Sequence, residues 1–445
     1  MQRREFLTFA LPAGSALVAL LAACDAGASE KSDRASVAGG ALRSRAARQP
    51  GGGSTELAVR AVNSLGTTLY QSLAAGQPTT NLVLSPTSIA IALAMAREGA
   101  AGVTAAEMDQ VLGINDVSAL APAMNALDQA LAARTGTFPD ASGSRPIEVV
   151  LRVVSALWGQ EGLAWSADFL DRLAIDYGAG LMVTDFAADP EVARDTVNTW
   201  VRDETEQRVQ EVLPPGAVDA ATRMLLVSAI YLKAPWLTPF EAAATADTAF
   251  TRPDGTAVTV AMMRSTSQLA YAAGNGWQSV DLPYGGYALT MTVVVPDAGR
   301  LAEVEAQVSP DLVDSIVATQ ALRTVDLGLP RWDSESAFSL NDALSAAGMP
   351  SAFDPRAADF SSMLDEASAD RLFLAAVQHQ ANISVDEAGT EAAAATAVAM
   401  AGSSAPGGGP VALIADRPYL YFIRDVATGA VVFLGRVTDP SASVG

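Results

Sequence analysis

The sequence predicts an α+β fold, and three observations predict it. Apolar residues recur at helical spacing in the N-terminal half, and strand-like apolar runs dominate after residue 223. The two kinds of segment do not alternate as β-α units. The chain also closes on two runs, YLYFIRD (419–425) and AVVFLGRV (430–437), joined through Thr428-Gly429 in the pattern of a strand, a turn and a strand.

Taken in order, Leu57, Ala61, Leu65, Leu69 and Leu73 recur every four residues and predict an amphipathic helix, which Gly66 weakens without breaking. Asn81–Glu98 begins with the short apolar run LVLSP and continues as a second helix after Pro86. Asp195 to Val212 has helical spacing, with Val197, Val201, Thr205 and Val209 on one side. MLLVSAIYL (224–232), LTMTVVVP (289–296) and RTVDLGLP (323–330) then read as strands. Nothing resembling a linker divides 55–445, so this stretch is one globular unit although its length alone would allow two or three domains.

Composition excludes several function classes. The 445 residues carry 28 Lys and Arg against 49 Asp and Glu, a formal charge of −21, which argues against a nucleic-acid partner. One Cys and one His rule out a disulfide scaffold, Cys-rich metal centres and multi-His sites, so neither a metal nor another cofactor is implied. The chain has no Gly-rich phosphate loop, no G-x-S-x-G and no H-E-x-x-H. A hydrolase would need a nucleophile beside the only His, and no such motif accompanies it.

Residues 1–24, MQRREFLTFALPAGSALVALLAAC, place Arg3-Arg4 before an uncharged stretch from Phe6 to Ala23. That stretch could just span a bilayer, but Pro12, Gly14, Ser15 and the cationic start favour an export signal. Arg3-Arg4-Glu5-Phe6-Leu7 resembles a twin-arginine signal, and Leu21-Ala22-Ala23-Cys24 resembles a lipobox. The expectation is an exported protein, lipidated on Cys24 and held at the outer side of the cytoplasmic membrane or in the cell envelope. Residues 25–54, with six Gly and no aromatic residue, read as a flexible tether.

The stretch VDEAGTEAAAATAVA (385–399) resembles the reactive-loop hinge of inhibitory serpins. Other segments resemble that family in the same order: Asn81-Leu-Val-Leu-Ser85-Pro-Thr-Ser88-Ile, Asn198-Thr-Trp200-Val201, Trp236-x-x-Pro239-Phe240 and Leu282-Pro283-Tyr284. Ala358-Asp359-Phe360-Ser361-Ser362-Met363 and Phe433-Leu434-Gly435-Arg436-Val437-x-x-Pro440 follow, with Ser362 in place of the family's Gly. The resemblance spans about 55–440. It implies the serpin fold, with three β-sheets, eight or nine helices and a long exposed loop, in a monomer that is not itself an enzyme.

It also implies a mechanism and site residues. A serine protease cuts the loop and forms an acyl-enzyme, and the cleaved hinge enters the main sheet before water can release the acyl group. The hinge would comprise Glu387, Gly389, Thr390, Glu391, Ala392, Ala393, Ala394, Ala395 and Thr396. Its Glu-Ala run favours a helix on propensity. As a strand, Thr390, Ala392, Ala394 and Thr396 would face one side, and Glu391, Ala393 and Ala395 the other. Ser85, Ser88, Ser228 and His379 match the cluster that holds the sheet shut, Ser228 standing where the family usually has Asn. Trp236, Arg331 and Glu387 match the group at the loop's point of insertion.

Hinge spacing puts the reactive bond at Ser403-Ser404, with Met400, Ala401 and Gly402 at secondary sites. From Gly389 to Ser403 is 15 residues, so insertion would carry the protease about 50 Å at ~3.3 Å per residue. AVAMAGSSAPGGG holds no Lys, Arg or aromatic residue, which fits elastase-like or subtilisin-like targets rather than trypsin-like ones. A non-inhibitory serpin, acting as a binding or carrier protein, is the alternative.

Overall fold

The structure, a computed structural model, describes residues 36–37, 40–143, 145–391 and 409–442. Helix α1 (Glu56–Gly76) turns its four-residue stripe inward and buries Ala61, Leu65 and Leu69. Gly66 serves this packing, because a Cβ there would stand 2.4 Å from the Pro86 ring. Helix α2 (Pro86–Arg97) begins where LVLSP ends. The Ser85 hydroxyl caps it by accepting from the Ser88 amide, and Pro86 occupies a first-turn position that needs no amide donor. Then come α3 (Gly102–Val111), α4 (Leu120–Ala132) and α5 (Ala167–Tyr177).

Helix α6 spans Pro190–Glu204, where the spacing predicted 195–212. It starts early because the Asp189 carboxylate accepts from the Val192 amide and Pro190 follows. It ends early because Glu206 and Gln207 take left-handed φ values of 51° and 63°. Val209 stays buried beyond the helix, so the apolar period outlasts the helix that it suggested. Helices α7 (Leu301–Glu305), α8 (Pro310–Thr319) and α9 (Asn341–Ala347) complete the set among the described residues.

The strands in chain order are β1 (Ser36–Val37), β2 (Ala41–Leu42), β3 (Leu82–Leu84), β4 (Gly136–Pro139), β5 (Pro146–Gln160) and β6 (Leu181–Thr184). Next are β7 (Met224–Pro235), β8 (Ala246–Thr251), β9 (Ala257–Gly274), β10 (Trp277–Pro283), β11 (Leu289–Pro296) and β12 (Ala321–Pro330). The last are β13 (Trp332–Ser339), β14 (Ala376–Val385), β15 (Gly389–Thr390), β16 (Val411–Ile414), β17 (Tyr419–Asp425) and β18 (Val431–Val437).

The first sheet runs β1-β2-β6-β5-β7-β15-β14-β13, with β4 on β5. The second runs β16-β12-β9-β10-β11-β17-β18-β3, with β8 on β9. Strand β9 pairs with β8 and β12 over its first part and with β10 at its end, so two of the three expected sheets share this one strand. The tail forms the expected hairpin, β17 on β18 from Tyr419↔Val437 onward. One core joins both sheets to α1 and α2. A second packs Val197, Val201 and Val209 onto Val154 and Val227, on the other face of β5 and β7.

The tether expected over 25–54 is fastened from Gly40 onward. Strand β2 pairs with β6, the Gln49 amide donates to Ile175 O, and Arg48 binds both Asn125 and Asp128 on α4. Polar bonds and the buried Ala41 hold this stretch, so its lack of aromatic residues misleads.

Candidate functional site

Cys24, the hinge residues Ala392, Ala393, Ala394, Ala395 and Thr396, and Met400, Ala401, Gly402, Ser403 and Ser404 lie outside the described residues. The remaining candidates gather at two levels of the seam between β7 and β14.

That seam has two regions. From Leu225↔Ala376 to Ile230↔Ala381 the strands pair directly and in parallel. At the far end β15 lies between them, antiparallel to both, with Thr390 opposite Val385 and Ala234. The hinge therefore already begins a strand in this sheet. Gly389 makes the turn possible: its φ is +152°, and a Cβ would stand 2.3 Å from Ala234 O. The Asp386 carboxylate accepts from the Ala388 and Gly389 amides and tightens the turn. Thr390 is buried, and its hydroxyl shares a 2.7 Å hydrogen bond with the Tyr284 hydroxyl.

Trp236 stacks on Tyr284 at 4.5 Å and 15°. Its indole N–H donates to Asp386 O at 2.9 Å, and its amide donates to Ala388 O. Arg331 meets Glu387 at 2.5 Å, and the Thr245 hydroxyl donates to the same carboxylate oxygen. Burial pushes the Glu387 carboxyl up, but these bonds outweigh it and the net pKa is lowered. Trp236, Arg331 and Glu387 thus form one frame around the start of β15. Tyr284, Thr245 and Asp386 belong to that frame and were missed as site residues. Tyr284 alone carried a sequence signal, as part of the Leu-Pro-Tyr segment.

Lower down, Ser228 of β7 and His379 of β14 are register partners. His379 Nε2 accepts from the Ser85 amide at 3.0 Å, which assigns the proton to Nδ1, 2.9 Å from Ser228 Oγ. The Ser228 hydroxyl accepts that proton and donates to Gln378 O at 3.4 Å, so one small hydroxyl serves both neighbours. Burial pushes the imidazole down to about 3. Ser88 does not reach His379. It joins through the α2 cap, and its carbonyl accepts from Ser155 of β5, which sequence reasoning missed. Fully buried with both ring nitrogens engaged, His379 has nothing left to offer a substrate. Among the described residues, no three His, Cys, Asp or Glu side chains could hold a metal ion.

A family model described as "Serpin (serine protease inhibitor)" matches residues 60–440. A serpin-like protein of Thermococcus kodakarensis is 34% identical over 385 residues, covering 86% of this chain and 85% of its own. The leukocyte elastase inhibitor of Homo sapiens is 31% identical over 382 residues, 84% of this chain and 96% of its own. Among solved structures, the native state of the thermophilic serpin tengpin matches with TM-score 0.78 and 25% identity, over 90% of this chain and 100% of that one. Thyroxine-binding globulin in complex with thyroxine shares the fold, with TM-score 0.75 and 24% identity over 86% of this chain and 100% of its own.

Proposed function

The chain belongs to the serpin family, and from that premise we propose that it is a suicide inhibitor of serine proteases. One observation carries the reading: Gly389 and Thr390 occupy the open end of the β7–β14 seam, antiparallel to both strands. A binding or carrier protein of the same fold needs no strand poised to continue there.

Continuing that register six residues, from Thr390↔Val385, would bring Thr396 opposite His379. Residues directly opposite share a face, so Ala392, Ala394 and Thr396 would follow Thr390 toward the core. All are small enough to enter a seam that is now closed by direct pairing. Each inserted residue would trade one parallel ladder for two antiparallel ones. An acyl-linked protease would be carried along with the strand. Its own Ser and His perform the bond cleavage, and this chain contributes the fast change of shape that outruns deacylation.

The proposed reactive bond is Ser403-Ser404, with Met400, Ala401 and Gly402 nearby, and elastase-like or subtilisin-like enzymes are the targets. The chain is proposed to work as an exported monomer, tethered to the membrane through lipidated Cys24.

The test is incubation with an elastase-like and a subtilisin-like protease, followed by denaturing electrophoresis. A covalent complex is expected for the parent. Thr390→Arg would put an unpaired charge beneath the sheet, costing several kcal/mol, and should be cut without trapping the enzyme. Trapping by that variant equal to the parent's would sink the insertion reading.

A further inference from the structure

The hairpin of β4 and β5 has no part in the mechanism above, yet it reaches the hinge through a single turn. Phe138 and Ile147 are register partners on one face of that hairpin. On the other face Glu148 pairs with Lys233 of β7 at 2.7 Å, which fastens the hairpin in place. Phe138 and Ile147 lie against the turn between β10 and β11, where successive glycines leave room for them. A Cβ on Gly285 would stand 2.0 Å from Ile147 Cδ1, and one on Gly286 would stand 2.8 Å from Phe138 Cγ. Gly286 and the next residue are both left-handed, with φ +79° for Gly286 and +61° for Tyr287. For a tyrosine that conformation is strained, and it persists only where the surroundings impose it. The Tyr287 side chain is 63% exposed, so its own packing does not impose it.

The turn in its own way holds Tyr284. The Tyr287 amide donates to Tyr284 O at 3.1 Å, and the Gly285 amide donates to Pro235 O at the end of β7 at 2.8 Å. Tyr284 is fully buried, and its bond with Thr390 is the only hydrogen bond of that threonine hydroxyl among the described residues. We propose that Phe138 and Ile147 are positioning residues for the hinge. Wedged on Gly285 and Gly286, they keep the strained turn in shape, and the turn keeps Tyr284 where it secures Thr390 in the seam. The proposal rests on the insertion reading and adds a residue pair, far from the hinge in sequence, that sets how insertion starts.

The moles of inhibitor consumed per mole of protease trapped measure insertion against deacylation. Phe138→Ala should raise that ratio about threefold, and Phe138→Leu, which keeps apolar bulk on Gly286, should restore most of it. Tyr287→Gly supplies a readout that a merely structural role would not move. Glycine takes a left-handed φ without strain, so the turn then needs no wedge. Added to Phe138→Ala, it should bring the ratio back toward the parent's. Thr390→Val removes the bond to Tyr284, and Phe138→Ala added to that variant should change the ratio no further. Amide hydrogen exchange of the uncut protein reads the same contact without a protease. Exchange across 386–391 should quicken severalfold in Phe138→Ala and in Ile147→Ala, while β17 and β18 keep the parent's rate.

Ratios and exchange equal to the parent's in both Phe138→Ala and Ile147→Ala would overturn the proposal while leaving inhibition intact. A loss in Phe138→Ala that Tyr287→Gly does not repair would overturn it too. A parent that is cut and traps no protease would overturn the insertion reading, and with it any role of the hairpin in inhibition. The exchange comparison tells the two failures apart, because it needs no trapped complex.

Discussion

His379 shows how one buried side chain ties the seam to pH. The folded imidazole stays neutral down to about 3, whereas the unfolded one protonates near 6.5. Between those values the unfolded chain binds more protons. The contribution is therefore complete above about pH 6.5 and is lost as the pH falls toward 3, at about 1.4 kcal/mol per unit. Denaturation at pH 5 should show a loss of about 2 kcal/mol relative to neutral pH, and His379→Gln should lack that component. An unchanged slope in the variant would assign the acid sensitivity elsewhere. Gly389 is constrained twice, by its backbone angle and by the 2.3 Å approach of Ala234 O. Gly389→Ala should cost about 1–3 kcal/mol of strain at that turn and expel Thr390 from its bond with Tyr284. The measured sign would be more cleaved and less trapped inhibitor.

Among the elements, the N-terminal strap departs most from what its composition suggests. Gly389 and Thr390 form β15 because the parted ends of β7 and β14 offer them ladder partners, while the alanine run after Glu391, which carries the helix propensity, lies outside the described residues. The strap from Gly40 onward holds to α4 through Arg48, which bonds Asn125 at 2.8 Å and Asp128 at 2.6 Å. Both groups are part-buried, so Arg48→Ala should destabilise the fold by about 1 kcal/mol. Chemical denaturation reads this directly, and a midpoint unchanged from the parent's would mean that the strap adds nothing to stability.

For the whole molecule the proposed inhibition turns on the difference between the intact and the inserted sheet. A dozen new ladder bonds at about 1 kcal/mol each match the ~5–15 kcal/mol stability of an ordinary domain. The intact form is then held by kinetics. Cleavage near Ser403 should raise the thermal midpoint by tens of degrees, where ~1 kcal/mol would shift it by only a few. Calorimetry of nicked and intact protein checks this, and a nicked form that melts no higher would leave only the non-inhibitory reading. The proposed membrane attachment also concerns the whole chain. If Cys24 carries the proposed acyl chains, Cys24→Ser should move the protein to the soluble fraction. Unchanged membrane association would count against the lipid tether.

The sequence by itself determined the family, the α+β class, the starts of α1 and α2 and the hairpin β17–β18. Those features rest on short-range chemistry: an apolar period, a capping serine before a proline, a turn between two apolar runs. Only the tertiary structure decided where the seam is open, because that depends on which strands β15 finds beside it. It also decided that His379 bonds the Ser85 amide, 294 residues away, while Ser88 serves the helix cap. The same holds for the end of α6 and for the bond from Asn382 to Arg208 O, which joins residues 174 apart. Hydrogen bonds across such separations leave no periodicity in the chain. They exist only after packing has set each donor against its acceptor.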